Sequence, residues 1–153
     1  MPQISADKLS EIYELTPHVE NGLYRLMRYA HTAESRASSG SILYYIGADE
    51  HSIFHSIDCD EYWTYNEGEP LELWVIHPDS SFSIVLLGTC EGAIPLTFVT
   101  KGSIFAVRHK KGSMDGTLVS CVTVPGYIEG HSNTLYTQEE MINRFPFVED
   151  FWK

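Results

Sequence analysis

The sequence predicts an all-β fold, a sandwich, jelly roll or barrel of short antiparallel strands with a short helix at each end. Three observations carry this. From about residue 22 to residue 124, short runs rich in Tyr, Ile, Val, Thr and Phe alternate with turn-forming residues. Helical spacing of apolar residues is confined to the two ends of the chain. No helical segment separates the strand-like runs, as the crossovers of a parallel sheet require.

The first element is a helix. Ser5 is placed to cap it, Asp7 suits its first turn, and Leu9, Ile12, Tyr13 and Leu15 give a partial apolar stripe. Thr16-Pro17 ends it, because proline disfavours helical geometry in the residue before it. Strands follow near Leu23–Tyr29, Ser41–Ile46, Glu61–Tyr65, Leu71–His77, Ser81–Leu87, Thr97–Val99, Ile104–Arg108 and Thr117–Val124. The gaps hold Ala37-Ser38-Ser39-Gly40, Asn66-Glu67-Gly68-Glu69-Pro70, His77-Pro78-Asp79-Ser80 and Lys110-Lys111-Gly112-Ser113, all turn compositions. His77-Pro78-Asp79-Ser80, between two apolar runs, reads as a hairpin connection. Near the end, Thr137 is followed three residues later by Glu140, the capping-box spacing. Met141, Ile142 and Phe145 then recur at helical spacing, and Pro146 stops that helix. No internal repeat or linker divides residues 1–153, so the chain reads as one domain.

Composition narrows the function classes. Ten Lys and Arg against 21 Asp and Glu leave a net charge of −11, which repels phosphate backbones and argues against a nucleic-acid partner. The longest apolar run, Ile42–Ile46, is five residues, far short of the ~20 that span a bilayer. No secretory signal is visible at the N-terminus. Cys59, Cys90 and Cys121 form no CxxC and are odd in number, which suits a reduced, cytoplasmic protein.

The segment from Ser52 to Gly68 holds the densest candidate chemistry, with His55, Glu61, Trp63 and Tyr65. On a strand, Glu61, Trp63 and Tyr65 share one face. A carboxylate among aromatics on an inner face is expensive unless paired or metal-bound. His55 and Glu61 therefore read as acid/base partners or ligands in a pocket. The same pattern also fits a rim carboxylate and a hydrogen-bonded structural histidine.

Four segments, in order, resemble the cupin superfamily and within it the small single-domain cupin-5 subfamily. They are Pro17-His18-Val19-Glu20-Asn21-Gly22-Leu23-Tyr24-Arg25; Phe54-His55, Asp60-Glu61-Tyr62-Trp63 and Gly68 to Leu73; Val99 to Ala106 around Gly102-Ser103; and Leu118 to Tyr127 ending Pro125-Gly126-Tyr127. They span roughly residues 9–147. The resemblance implies an antiparallel double-stranded β-helix, the cupin jelly-roll barrel, with a pocket in its mouth. It also implies similarity in fold to deoxysugar epimerases and a homodimer, but no established reaction.

Departures from the cupin pattern bear on cofactors. Metal-binding cupins carry His-x-His then Glu in a first motif and another His in a second. Here the positions fall on Ile53, His55, Glu61 and Phe105. Positions where some subfamily members carry further histidines are Thr64 and Asn66. Only His55 and Glu61 keep ligand chemistry, whereas tight transition-metal sites take three or four protein ligands. No cofactor is expected. A weak divalent site on His55 and Glu61, completed by substrate or water, is the residual alternative.

The epimerase-like reading makes His55 the general base, Tyr65 the opposing acid and Glu61 the group that orients the imidazole. Arg25 is the candidate to neutralise an anionic group on the ligand, and Tyr45 and Trp63 the candidates to stack on it. Each also fits a plain structural role, Arg25 as a salt bridge and the aromatics as core. His18 and Glu20 match the first segment but fit a loop that fixes a turn. Arg108-His109-Lys110-Lys111 reads as a solvated turn. Three functions follow in order: a small-molecule-binding, metal-independent isomerase or epimerase of a sugar-like substrate; a non-catalytic ligand-binding or sensor cupin; and a weakly metal-binding oxygenase or lyase.

Overall fold

A computed structural model describes residues 5–31 and 35–153. Two antiparallel sheets face each other. The first has six strands: β1 (Thr16–Pro17), β2 (Leu23–Ala30), β3 (Ser39–Ile46), β10 (Thr117–Val124), β5 (Asp60–Gly68) and β8 (Leu96–Val99), in that order across the sheet. The second orders β11 (Asn133–Leu135), β4 (His55–Ile57), β9 (Ile104–His109), β6 (Leu71–Ile76) and β7 (Phe82–Leu87). From β3 to β6 and again from β7 to β11, strands adjacent in sequence fall in opposite sheets, the jelly-roll pattern. The predicted strands all form, and β1, β4 and β11 are additions that the sequence reading did not contain.

The main core lies between the sheets. Tyr44, Ile46, Trp63, Leu71, Leu73, Val75, Phe105, Val107, Val119 and Cys121 meet there. Two outer clusters explain the helices. Helix α1 (Ala6–Tyr13) lays Leu9 and the following Leu15 onto Tyr45 and Leu118 on the outside of the six-stranded sheet. Helix α2 (Gln138–Arg144) and the 3-10 helix Pro146–Trp152 lay Met141, Val148 and Phe151 onto Trp74, Ile104 and Ala106 outside the other sheet. With both its faces covered, β6 is buried at every position.

Local chemistry sets the boundaries. Ser5 accepts the Lys8 N–H at the start of α1, and Glu14 closes its end in a left-handed conformation. Thr137 and Glu140 form the capping box of α2 with both hydrogen bonds present. Pro146 stops α2 as expected but also opens the 3-10 helix, where its missing N–H is no loss. The β6–β7 hairpin turns at His77–Ser81, with the Ser81 carbonyl accepting from the His77 N–H at 2.8 Å and Asp79 Oδ1 accepting from the Ser81 N–H at 2.9 Å. No helix of the described residues is long and apolar enough to cross a membrane, and Cys59, Cys90 and Cys121 are all free thiols.

Arg108 corrects the reading of residues 108–111 as a solvated turn. It lies in β9, donates to Glu72 Oε2 at 3.0 Å, and reaches the Asp150 and Phe151 carbonyls at 2.8 and 3.0 Å. Its guanidinium also lies 4.7 Å from the Trp74 ring centre. One side chain thus fastens the C-terminal 3-10 helix to the sheet. Arg108→Ala should lower stability by about 1–3 kcal/mol, read as a lower urea midpoint, because the buried Glu72 carboxylate loses its cation and two carbonyls lose their donor together. Arg108→Lys should recover only part, since an ammonium lacks the fork that reaches all three acceptors. Full recovery by lysine would mean that charge alone matters there.

Candidate functional site

The barrel mouth encloses a cavity of about 500 Å³, within the ordinary range for small-molecule sites. His55, Glu20, Glu61 and Trp63 are buried at its floor. Tyr24, Tyr29, Tyr127 and the exposed Glu129 line it further out.

Glu20 reaches the floor through a tight turn. The Gly22 carbonyl accepts the His18 N–H at 3.0 Å, and Asn21 and Gly22 both take positive φ, 74° and 75°. A side chain at Gly22 would run into the Tyr45 carbonyl and the Tyr44 hydroxyl, so only glycine fits this approach. The turn is fastened to the segment that carries His55. The Ile53 N–H donates to the Glu20 carbonyl at 3.0 Å, and the Ile53 carbonyl accepts from His55 Nδ1 at 2.7 Å.

That second bond fixes the histidine. A carbonyl can only accept, so Nδ1 carries the hydrogen and Nε2 faces the carboxyl of Glu20, whose Oε2 lies 3.1 Å away. A 3.1 Å contact between an imidazole lone pair and a carboxylate needs a proton between them. His55 and Glu20 therefore hold one proton as a pair, both almost shielded from solvent. Asn133 Nδ2 donates to the other Glu20 oxygen at 3.3 Å. Beside them, His18 Nδ1 accepts the Glu20 backbone N–H at 3.1 Å, and burial holds its pKa below the ordinary histidine value, against the pull of Glu20. His18 is thus the neutral Nε2–H tautomer.

Glu61 sits on the inner face of β5 and accepts the indole N–H of Trp63 at 3.0 Å. Burial, then the negative charge of Glu20, pushes its pKa up to about 8, so it is a neutral acid at pH 7. The same Glu-x-Trp pairing recurs on β6, where Trp74 donates to Glu72 at 3.1 Å. Glu72 has Arg108 beside it. Among the described residues, no Lys or Arg pairs with Glu61.

A protein-family model described as "Cupin superfamily (DUF985)" matches residues 7–132. The chain is a cupin. A crystallised Shewanella oneidensis protein superposes on this cupin with a TM-score of 0.88 at 29% identity, over 99% of this chain and 96% of that one. A hypothetical protein from Leishmania major gives 0.85 at 26%, over 95% of each. Bacillus subtilis oxalate decarboxylase gives 0.62 at 13%, over 88% of this chain and 35% of that one, a likeness of fold alone. No curated protein sequence matches the chain.

The residues of this cupin do not fit the metal centre of metal-binding cupins. Two of those four ligand positions are the hydrocarbons Ile53 and Phe105, and the Phe105 ring lies 4.2 Å from that of His55 across the β4–β9 pair. Both nitrogens of His55 already have partners in Ile53 and Glu20. Among the described residues no three His, Cys, Asp or Glu side chains are grouped to hold a metal ion.

Of the sequence-derived candidates, His55, Glu61 and Trp63 converge on the cavity and the other three do not line it. Tyr65 faces inward on the same strand but donates its hydroxyl to the Gly68 carbonyl at 2.6 Å, at the far end of β5. Tyr45 packs outward under α1, and its neighbour Tyr44 takes the cavity side. Arg25 also faces outward, pairing with Glu14 at 3.0 Å and bonding the Tyr13 carbonyl at 3.2 Å, so it holds the end of α1. The sequence reading assigned Glu20 and His18 to a turn. The turn is real, and it also delivers Glu20 to His55.

Proposed function

We propose that this cupin binds a small sugar-like molecule in the barrel mouth and moves a proton on it without a metal, as an isomerase or epimerase. The observation that carries the reading is the His55–Glu20 pair, sharing one proton at the cavity floor beside a neutral Glu61. Such an arrangement supplies a base and an acid at the same pH.

In the step we envisage, the pair takes a proton from the carbon next to a carbonyl. The C–H electron pair becomes the C=C bond of an enol as Glu61 gives its proton to the carbonyl oxygen. In an epimerisation Glu61 recovers that proton as the carbonyl reforms, and the first proton returns to the other face of the same carbon. In an isomerisation the first proton goes to the former carbonyl carbon, whose oxygen stays a hydroxyl, and Glu61 is reprotonated by the neighbouring hydroxyl as that becomes the new carbonyl. No redox partner is needed. Glu61 therefore replaces Tyr65 as the proposed acid. Trp63 and the tyrosines offer flat faces to a sugar ring.

The test is proton exchange in deuterated water, followed by proton NMR. Candidates are a panel of reducing sugars and any molecule retained by the protein in native mass spectrometry. Exchange next to the carbonyl, absent in a folded His55→Ala variant, is the expected result. A retained ligand with no exchange or conversion would favour the non-catalytic binding reading. The same mass spectrum tests the homodimer that the resemblance implies.

A further inference from the structure

We infer that the ligand of this cavity carries a positive charge, as a protonated amine or quaternary ammonium, and that its cationic end sits among the tyrosines beside Glu129. The inference rests on the small-molecule cavity of the proposed function and is independent of the proton transfer.

The first ground is a missing charge type. None of the ten Lys and Arg side chains is among the residues that line the cavity. Arg25 is held outside the barrel by Glu14. Arg36 does reach the loop at the mouth, through the Gly126 carbonyl at 2.8 Å, but its guanidinium is bound by Asp58 at 2.8 Å. A phosphate or carboxylate on the ligand would find no free cation here. Both are normally held by Arg, Lys or clustered N–H groups.

The second ground is what the lining offers instead. At the floor, the His55–Glu20 pair carries no net charge when it shares one proton, and Glu61 is neutral below about pH 8. His18 is neutral as well. Among the described residues no Lys, Arg or His forms an ion pair with Glu129 at the rim, which then supplies the remaining charge, and it is negative. Around it stand π-faces: Tyr24, Tyr29 and Tyr127, with Tyr44 and Trp63 deeper. Burial first, then the Glu129 charge, raises the pKa of Tyr29. Aromatic faces beside one carboxylate favour a cation, through the ring quadrupole and through Coulomb attraction. A neutral sugar would gain the stacking but not the charge. Within the sugar-like class, an amino sugar fits this lining better than a phosphorylated or acidic one.

The test separates charge from shape. Choline, 3,3-dimethylbutan-1-ol and 3,3-dimethylbutanoate share the same branched outline and differ in charge. Each is titrated into the 15N-labelled protein, and the Trp63 indole N–H signal reports entry. Choline should bind about tenfold tighter than the alcohol, and the carboxylate should bind weakest. Glu129→Gln should weaken choline several-fold and leave the alcohol unchanged. Equal affinities for choline and the alcohol, a preference for the carboxylate, or no choline effect to about 100 mM would overturn the inference. An unchanged choline affinity in Glu129→Gln would overturn the placement at the mouth. Deuterium exchange is read separately, so failure of the charge preference and failure of the proton transfer remain distinguishable.

Discussion

Glu20→Gln should lower turnover by about 10²–10⁴-fold while the barrel stays folded, the range that positioned acid/base groups contribute. Glutamine can still accept the Asn133 amide hydrogen, and the backbone bond from Ile53 to residue 20 does not depend on the side chain. What disappears is the carboxyl that shares a proton with His55. A neutral amide cannot take up or release that proton at any working pH. The 15N shift of His55 Nε2 gives a readout that needs no substrate, because it moves when the shared proton is gone. A variant with unchanged turnover on a confirmed substrate and an unmoved Nε2 shift would remove Glu20 from the mechanism. A moved shift with unchanged turnover would leave the pair as structure only.

The strands legible in the sequence were those whose pattern is local. The runs that became β6, β9 and β10 are apolar enough to announce themselves, and the hairpin between β6 and β7 carries its own turn residues. The strands that were missed are two or three residues long and exist through distant partners. His55 pairs with Phe105 on one side and Leu135 on the other, contacts that no local pattern encodes. The same limit hid Glu20. Its contact with His55 spans 35 positions of sequence and its contact with Asn133 spans 113. The available signal was the His18-to-Gly22 segment itself, where a glycine follows a carboxylate in a turn too tight for a side chain.

Two aromatic assignments failed for different physical reasons. Ile42 to Ile46 is apolar throughout because both faces of β3 are covered, the inner by the core and the outer by α1. With no alternation to read, Tyr44 and Tyr45 cannot be told apart, and a one-residue phase error exchanges the faces. Tyr65 was placed on the correct face of β5. Alternation does not report depth, however, and four residues of strand carry Tyr65 about 13 Å along the barrel from Glu61. Glu61 and Trp63 escaped both errors: they lie two apart at the start of β5, where exposed and buried positions alternate from Asp60 to Trp63.

The raised pKa of Glu61 makes a second prediction, on stability. In the unfolded chain this carboxyl titrates near 4.5, and in the folded protein near 8. Below pH 4.5 both states hold the proton and the residue makes no difference. Between 4.5 and 8 the unfolded chain releases a proton that the folded protein keeps, so stability falls as pH rises. Above 8 both are ionised and the loss is complete. Glu61→Gln keeps an acceptor for the Trp63 indole and removes the ionisation. The variant should match the wild type near pH 4 and exceed it by roughly 2–4 kcal/mol at pH 9, seen as a higher urea midpoint. Other titrating groups cancel in the comparison at each pH. A variant less stable than wild type at pH 9 would mean that the native carboxylate is ionised and favourably paired. The expected result would show instead that the fold keeps, at a loss in stability, an acid that the core does not need. Its sister Glu72 makes the contrast: the same Glu-x-Trp bond, closed off by Arg108 and outside the lining of the barrel-mouth cavity. A strand can hold this pair purely for structure, and β6 does so. On β5 the guanidinium is absent and the cavity lies beside the carboxyl, which is where a site that must hold and release a proton at neutral pH would leave it.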